Sequence, residues 1–319
     1  MLNTERKIIV MKVFQRIKKW AGRKDIKIFL MVLVPVLWIF ISHYALLWGW
    51  SFAFYNYKAG KKLANCDFVG FQNFATFLTN KAFTMNIVRV LRNTFGMYFT
   101  SLLFSPLPML FAVFLNEIRS RKFKKVIQTV TTLPNFIGWV VMYSLFLAVF
   151  GANGAVNSIL NDVLGLDIAV NVVNSSKHVW LTQILIGEWK GLGWSAIVYF
   201  AAIAGVDQQM YEAAMVDGAN RMQRIWYITL PQLVPTYFVL LVMSVGKMLN
   251  SSVEKLLLFG NSFNMEWIET LDLYVYKMGI GDGMFSYSIA IGILKSVVSL
   301  VLFGFANWMS KKVRGTSVF

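Results

Sequence analysis

"EAAMVDGANRMQRIWYITLP", residues 212–231, lies between two strongly apolar stretches and yet carries Glu212, Asp217, Arg221 and Arg224. Its small residues and central glycine read as two short helices. Asp207 is placed to cap the first, since a carboxylate there accepts from N–H groups with no partner inside the helix. Ala213 and Ala214 keep one face small, and Gly218 supplies the left-handed conformation that ends a helix. The second helix is expected from about Asn220 to Thr229, with Pro231 beginning the return to an apolar segment. Small side chains permit close backbone approach by another protein, and the charged residues offer charge-assisted hydrogen bonds. The stretch reads as a shaped docking knob on a loop.

Working outward, the flanks show where that loop sits. Of 319 residues, 57% are hydrophobic and 14% are charged, against about 25% charged in soluble domains. Aromatics reach 16%, with 11 Trp, as fits rings at lipid–water boundaries. Six stretches are long and apolar enough to cross a bilayer: 28–54, 93–116, 127–150, 179–206, 233–253 and 286–310. The fold class is therefore all-α, a polytopic membrane protein with six transmembrane helices. The first stretch is too long for a cleavable signal and has no small-residue cleavage site after it. The division expected is a basic segment at 1–27 and a membrane domain at 28–319, with the docking loop at 207–231.

Basic residues orient this arrangement. Nineteen of the 31 lysines and arginines fall on the side that holds both termini, residues 119–125 and the docking loop. Nine fall on the opposite side, with Arg89, Arg92 and Lys255 among these outer-loop residues, and Lys190, Lys247 and Lys295 lie within spans. The positive-inside rule puts both ends and residues 212–231 in the cytoplasm. The net charge of +16 is accounted for in this way, without nucleic acid. In the first tail, Val13, Phe14, Ile17 and Trp20 share a helical face among basic residues. It is either an interfacial helix on anionic headgroups or a flexible tail that fixes topology. Outside, Phe68, Phe71, Phe74 and Phe77 recur every three residues and suggest a short amphipathic helix on the outer surface. Glycines in "GANGAVNSILNDVLGL" suggest a turn before another short helix.

Catalytic chemistry finds no support. Cys66 is single, and His43 and His178 stand apart, so neither a disulfide nor a metal site is indicated. The Gly-Lys pairs at 60–61 and 246–247 lack the spacing of a phosphate-binding loop. No nucleophile or zinc-hydrolase signature is present. The chain reads as neither an enzyme nor an ATPase.

The pattern E-A-A, three residues, G, nine residues, I-x-L-P resembles the signature loop of permeases of binding-protein-dependent ATP-binding-cassette (ABC) importers. Glu212, Ala213, Ala214, Gly218, Ile228, Leu230 and Pro231 match it, and Asp217 and Ala219 match its common extension. "FVGFQNF" (68–74), "LPNFIGWVVM" (133–142), "YVYKMGIGDGMFSYSIAIG" (274–292) and "FANWMSKK" (305–312) are similar to the carbohydrate and polysaccharide branch of that family in Gram-positive bacteria. The resemblance implies a type I importer permease of the bacterial cytoplasmic membrane, with coupling helices seated on an ATPase subunit. It further implies a second, related permease, two ATPase subunits that bind ATP and Mg, and an external sugar-binding lipoprotein. The cargo it implies is an oligosaccharide or polysaccharide-derived glycan. An ABC permease for another solute is the alternative, and an ion-coupled secondary transporter is a further one.

Ionisable residues within spans mark candidate pathway positions. Glu188, Trp189, Lys190 and Trp194 lie in "GEWKGLGW" (187–194), with Lys247 and Lys295 in the next two spans. Amines and carboxylates hydrogen-bond sugar hydroxyls, and aromatic rings pack on pyranose faces. The same residues are open to cross-bundle pairing or snorkelling instead. If the three lysines do line the pathway, the cargo is acidic. Gly187, Gly191, Gly193, Pro106 and Pro108 serve either as hinges or for close helix packing.

Overall fold

The computed structural model describes residues 24–165 and 171–314. The tail residues Val13 to Trp20 lie outside the described residues. Among those described the fold is helical, with one isolated antiparallel bridge between Tyr55 and Phe68. Five helical runs are long and apolar enough to cross a membrane, and a sixth is obtained when one bent pair is taken as a single span.

The first span starts as α1 (Lys24–Ile39), tightens through a π turn (Phe40–Tyr44) and ends as a 3₁₀ stretch (Ala45–Phe54). It is exposed along nearly its whole length, and Ala53 at its end is buried. The phenylalanine repeat divides: Phe68 and Phe71 precede α2 (Gln72–Thr79) and are exposed, while Phe77 is buried. The helix is thus shorter than expected. It also rests on protein: Phe77 meets Tyr287 edge-on and joins a buried cluster with Ala53, Val90 and Ala290.

Span two begins earlier than hydropathy suggests, with α3 (Lys81–Phe104) and, after a break at Pro106, α4 (Leu107–Asn116). Arg89 and Arg92, read as outer-loop residues, sit within α3 because both charges find partners. Arg89 pairs with Glu269 at 2.6 Å, and the Arg92 guanidinium lies 4.3 Å from the centre of the Trp267 ring. Span three is broken. α5 (Arg121–Thr132) stops at a 3₁₀ turn (Leu133–Phe136) containing Pro134, which lacks the N–H that would continue the ladder. The apolar crossing then starts at α6 (Trp139–Phe150), so the expected continuous 127–150 helix does not form. The glycine-led turn into a short helix does form, as α7 (Ala155–Ser158).

α8 (Val179–Ala204) then bends by 70° into α9 (Gln208–Val216), and together they make the sixth span candidate. α10 (Arg221–Arg224) runs through a π turn (Ile225–Thr229) into α11 (Leu230–Gly246) as one 26-residue span. Between this and the last helix come α12 (Val253–Phe259), α13 (Met265–Ile268) and α14 (Leu271–Tyr276). The last helix is α15 (Phe285–Arg314). A buried cluster of Met109, Ala112, Ala196, Tyr199, Ile203, Ile225 and Leu233 locks α4, α8 and the α10–α11 run together where the docking loop emerges.

Candidate functional site: coupling segment and polar cavity

The docking loop is built as its residues require. The Asp207 carboxylate accepts from the Gln209 N–H at 2.9 Å and caps α9. Gly218 ends it at φ +80°, where a side chain would be strained. Asn220 then opens α10 with a reciprocal capping box: its side chain accepts from the Gln223 N–H, and the Gln223 side chain accepts from the Asn220 N–H. The second helix is not a separate unit, because α10 continues without a break past Leu230 and Pro231 into span five. Pro231 comes directly after the π turn at Ile225–Thr229, in the first turn of α11.

Glu212, Ala213, Asp217 and Gly218 are exposed, Ala214 is half-buried, and Val216 is 88% exposed. Met210, Met215 and Met222 are exposed beside them. The surface mixes small residues, valine and adaptable methionines with the carboxylates of Glu212 and Asp217. Behind it the loop is tied down. Tyr211 and Thr229 share a hydrogen bond at 2.9 Å, and Arg221 pairs with Glu117 at 3.3 Å. Glu117, at the end of span two, escaped the sequence reading because its partner is 104 positions away in the chain. Arg224 is half-buried and belongs to the root of span five.

The candidate pathway residues do not form one site. The Lys190 ammonium donates to the carbonyls of Pro134, Asn135 and Ile137 at 2.9, 2.9 and 2.6 Å. It therefore closes the break in span three by satisfying carbonyls that the interrupted ladder leaves open. Lys295 is paired with Asp272, whose other oxygen accepts from the Ser251 N–H. Lys247 is exposed at the end of span five. Trp194 meets Phe136 edge-on, and Trp189 lines an apolar hollow of about 520 Å³ with Phe146, Val149 and Leu185. Glu188 is half-buried.

A polar cavity of about 240 Å³ opens instead where α3, α6, α8 and α12 meet, lined by Tyr98, Trp139, Asn250, Ser252 and Lys255 among others. Lys255 was read as an outer-loop residue, yet it is buried, with its ammonium on the Gln183 carbonyl at 2.5 Å. Burial pushes this ammonium down to about 8, with the Glu188 carboxylate acting the other way. Both Lys190 and Lys255 lie close to the Trp139 ring, at 5.2 and 5.3 Å from its centre. Run lengths of apolar residues cannot reveal this site. The polar triplet Asn250-Ser251-Ser252 just before α12 is the one local signal for it.

Residues 104–315 match the family described as "Binding-protein-dependent transport system inner membrane component". The chain is 36% identical over 303 residues to Protein LplB of Bacillus subtilis (strain 168), covering 94% of this chain and 93% of that one. It is 34% identical over 288 residues to the polygalacturonan/rhamnogalacturonan transport system permease protein YteP of the same organism, covering 89% and 88%. Among solved structures it is similar to a chain of a bacterial alginate ABC transporter in complex with an alginate pentasaccharide-bound periplasmic protein. That likeness has a TM-score of 0.80 and 33% identity, over 93% of this chain and 99% of the other.

Proposed function

This chain belongs to the binding-protein-dependent transport system inner membrane components, and we propose that it is the permease subunit of an ABC importer for oligosaccharide or polysaccharide-derived glycans. Similar proteins include permeases named for polygalacturonan/rhamnogalacturonan and for arabinooligosaccharides, and a transporter of the acidic polysaccharide alginate. Those names support a glycan cargo here and leave its charge open.

The observation that carries the reading is the loop at 207–231. It projects an exposed surface of small, apolar and acidic residues from a root packed in a buried cluster, between a helix bent by 70° and one that continues into a span. On this reading α9 and the start of α10 seat on one of two ATPase subunits, which bind ATP and Mg. Closure of the ATPases then acts through α8 and α11 on two alternative packings of the spans. Both chain ends and the loop face the cytoplasm, as the basic residues indicate. A second, related permease completes the pathway, and an external sugar-binding lipoprotein delivers cargo. The membrane is the bacterial cytoplasmic membrane, of a Gram-positive organism if the Bacillus relatives are a guide. The subunit itself performs no covalent chemistry.

The test is intact-mass analysis of the assembly withdrawn gently from native membranes by a tag on this chain. A complex holding two copies of an ATPase and a second permease is expected. Recovery of this chain alone, transporting glycan without ATP, would sink the proposal in favour of an ion-coupled carrier. An ATPase-bearing complex that takes up only amino acids or phosphate would move it to another cargo.

A further inference from the structure

The polar cavity at Lys255 points to the charge of the cargo, an inference that rests on the glycan reading above. The other buried or part-buried cations of this region are answered. Lys295 pairs with Asp272, Arg89 and Lys277 share Glu269, and Lys190 is held by three carbonyls. Lys255 differs. Among the described residues it makes no ion pair, and its hydrogen bond is to the Gln183 carbonyl. The Glu188 carboxylate acts on it through space but does not come within ion-pair reach. A buried cation that no carboxylate touches directly is costly, and Lys255 is one of the residues that line the cavity.

The surroundings match a sugar ring. The Trp139 indole lies beside the ammonium, with its centre 5.3 Å away. Asn250 and Ser252 are exposed, and their side chains make no hydrogen bond among the described residues. The Tyr98 hydroxyl, shared with Ser244 at 3.2 Å, adds a further polar group. A Cβ at Gly187 would stand 3.4 Å from the Lys255 ammonium, an ordinary contact distance, so the cation lies against α8. The volume of about 240 Å³ lies below the roughly 300–1,000 Å³ of sites for drug-sized ligands. It suits a single ring rather than a chain.

We propose that this cavity holds one uronate ring of the glycan in transit, with Lys255 receiving the carboxylate, Trp139 packing on the ring, and Asn250 and Ser252 meeting its hydroxyls. The residue that reads cargo charge is then Lys255. Lys190 and Lys295 are committed elsewhere.

The test uses the whole complex in proteoliposomes with its binding protein. The probes are trigalacturonate and trimannuronate, each beside its methyl ester, which keeps the rings and removes the charge. Binding-protein affinities are measured separately, and uptake is compared with the binding protein saturated. The wild type is expected to favour at least one acid over its ester. Lys255→Met is expected to cut that acid-to-ester ratio by about tenfold or more, as when one partner of a desolvated charge pair is removed. Lys255→Arg is expected to retain most of the ratio. If Lys255→Met does not assemble, Lys255→Gln keeps a donor for the Gln183 carbonyl and carries the same comparison. An unchanged ratio in an assembled variant, or no preference in the wild type, overturns the inference. Uptake of neutral arabino-oligosaccharides but of neither acid also overturns it, while leaving the glycan reading intact. If no glycan-loaded binding protein stimulates ATP hydrolysis, both fail together.

Discussion

Lys190 and Lys255 share one indole and do different work. Lys190 satisfies three carbonyls at the break in span three. Hydrogen bonds to charged groups contribute about 1.5–3 kcal/mol each when buried, and Lys190 is partly exposed, so a lower total is expected. Lys190→Met should lower the thermal unfolding midpoint of the assembled complex by several degrees while leaving its acid-to-ester preference in place. A changed preference with an unchanged midpoint would contradict the assignment. Gly193 supports the same junction: a Cβ there would stand 2.6 Å from the Thr132 backbone nitrogen, too close to be accommodated without moving α5. The sequence made Lys190 visible as a charge inside an apolar run but could not reveal its partners. Three backbone carbonyls some 55 positions away leave no trace in residue types. Lys255 was hidden for the opposite reason, since it follows the apolar run and looks like a loop residue.

At the scale of elements, the first helix of the 207–231 loop was legible almost to the residue. Capping and glycine chemistry are local, so Asp207 and Gly218 mark the ends of α9 by themselves. The second half was less so, because whether α10 stops or continues depends on packing of Ile225, Ile228 and Leu233 in the interior. Gly218→Ala forces a side chain into positive φ at a cost of about 1–2 kcal/mol and should slow transport in part. Gly218→Pro cannot adopt that φ at all and should abolish uptake; retained uptake with normal assembly would contradict the role given to this turn. Removing the Arg221–Glu117 pair is expected to matter little for stability, since Arg221 is half exposed and such pairs contribute about 0–1 kcal/mol. A fall in the unfolding midpoint of Glu117→Gln beyond two or three degrees would show that it does more.

Over the whole molecule, helical class and the number of crossings followed from the lengths of apolar runs. The ends of spans two and three did not. Span two gains its first turns because Arg89 and Arg92 find partners in α13 and the residues after it, and span three loses its first turns to a proline-bearing break. Orientation still rests on the count of basic residues, and the chain carries its own reporter. Cys66 is the single cysteine, partly accessible in the loop after the first span. A membrane-impermeant maleimide should label it on intact protoplasts; labelling only after permeabilisation would place the loop at 55–71 inside and invert the topology.

The central claim is that residues 207–231 transmit the movement of an ATPase, and Val216 is the position from which to test it. It is 88% exposed and contributes nothing to the core. A photo-crosslinking amino acid placed there in the assembled complex, irradiated in native membranes, should give one dominant adduct with the ATP-binding subunit. The yield of that adduct should change between nucleotide-free and ATP-bound states. Adducts with lipid alone, in a complex that still takes up glycan, would contradict the account.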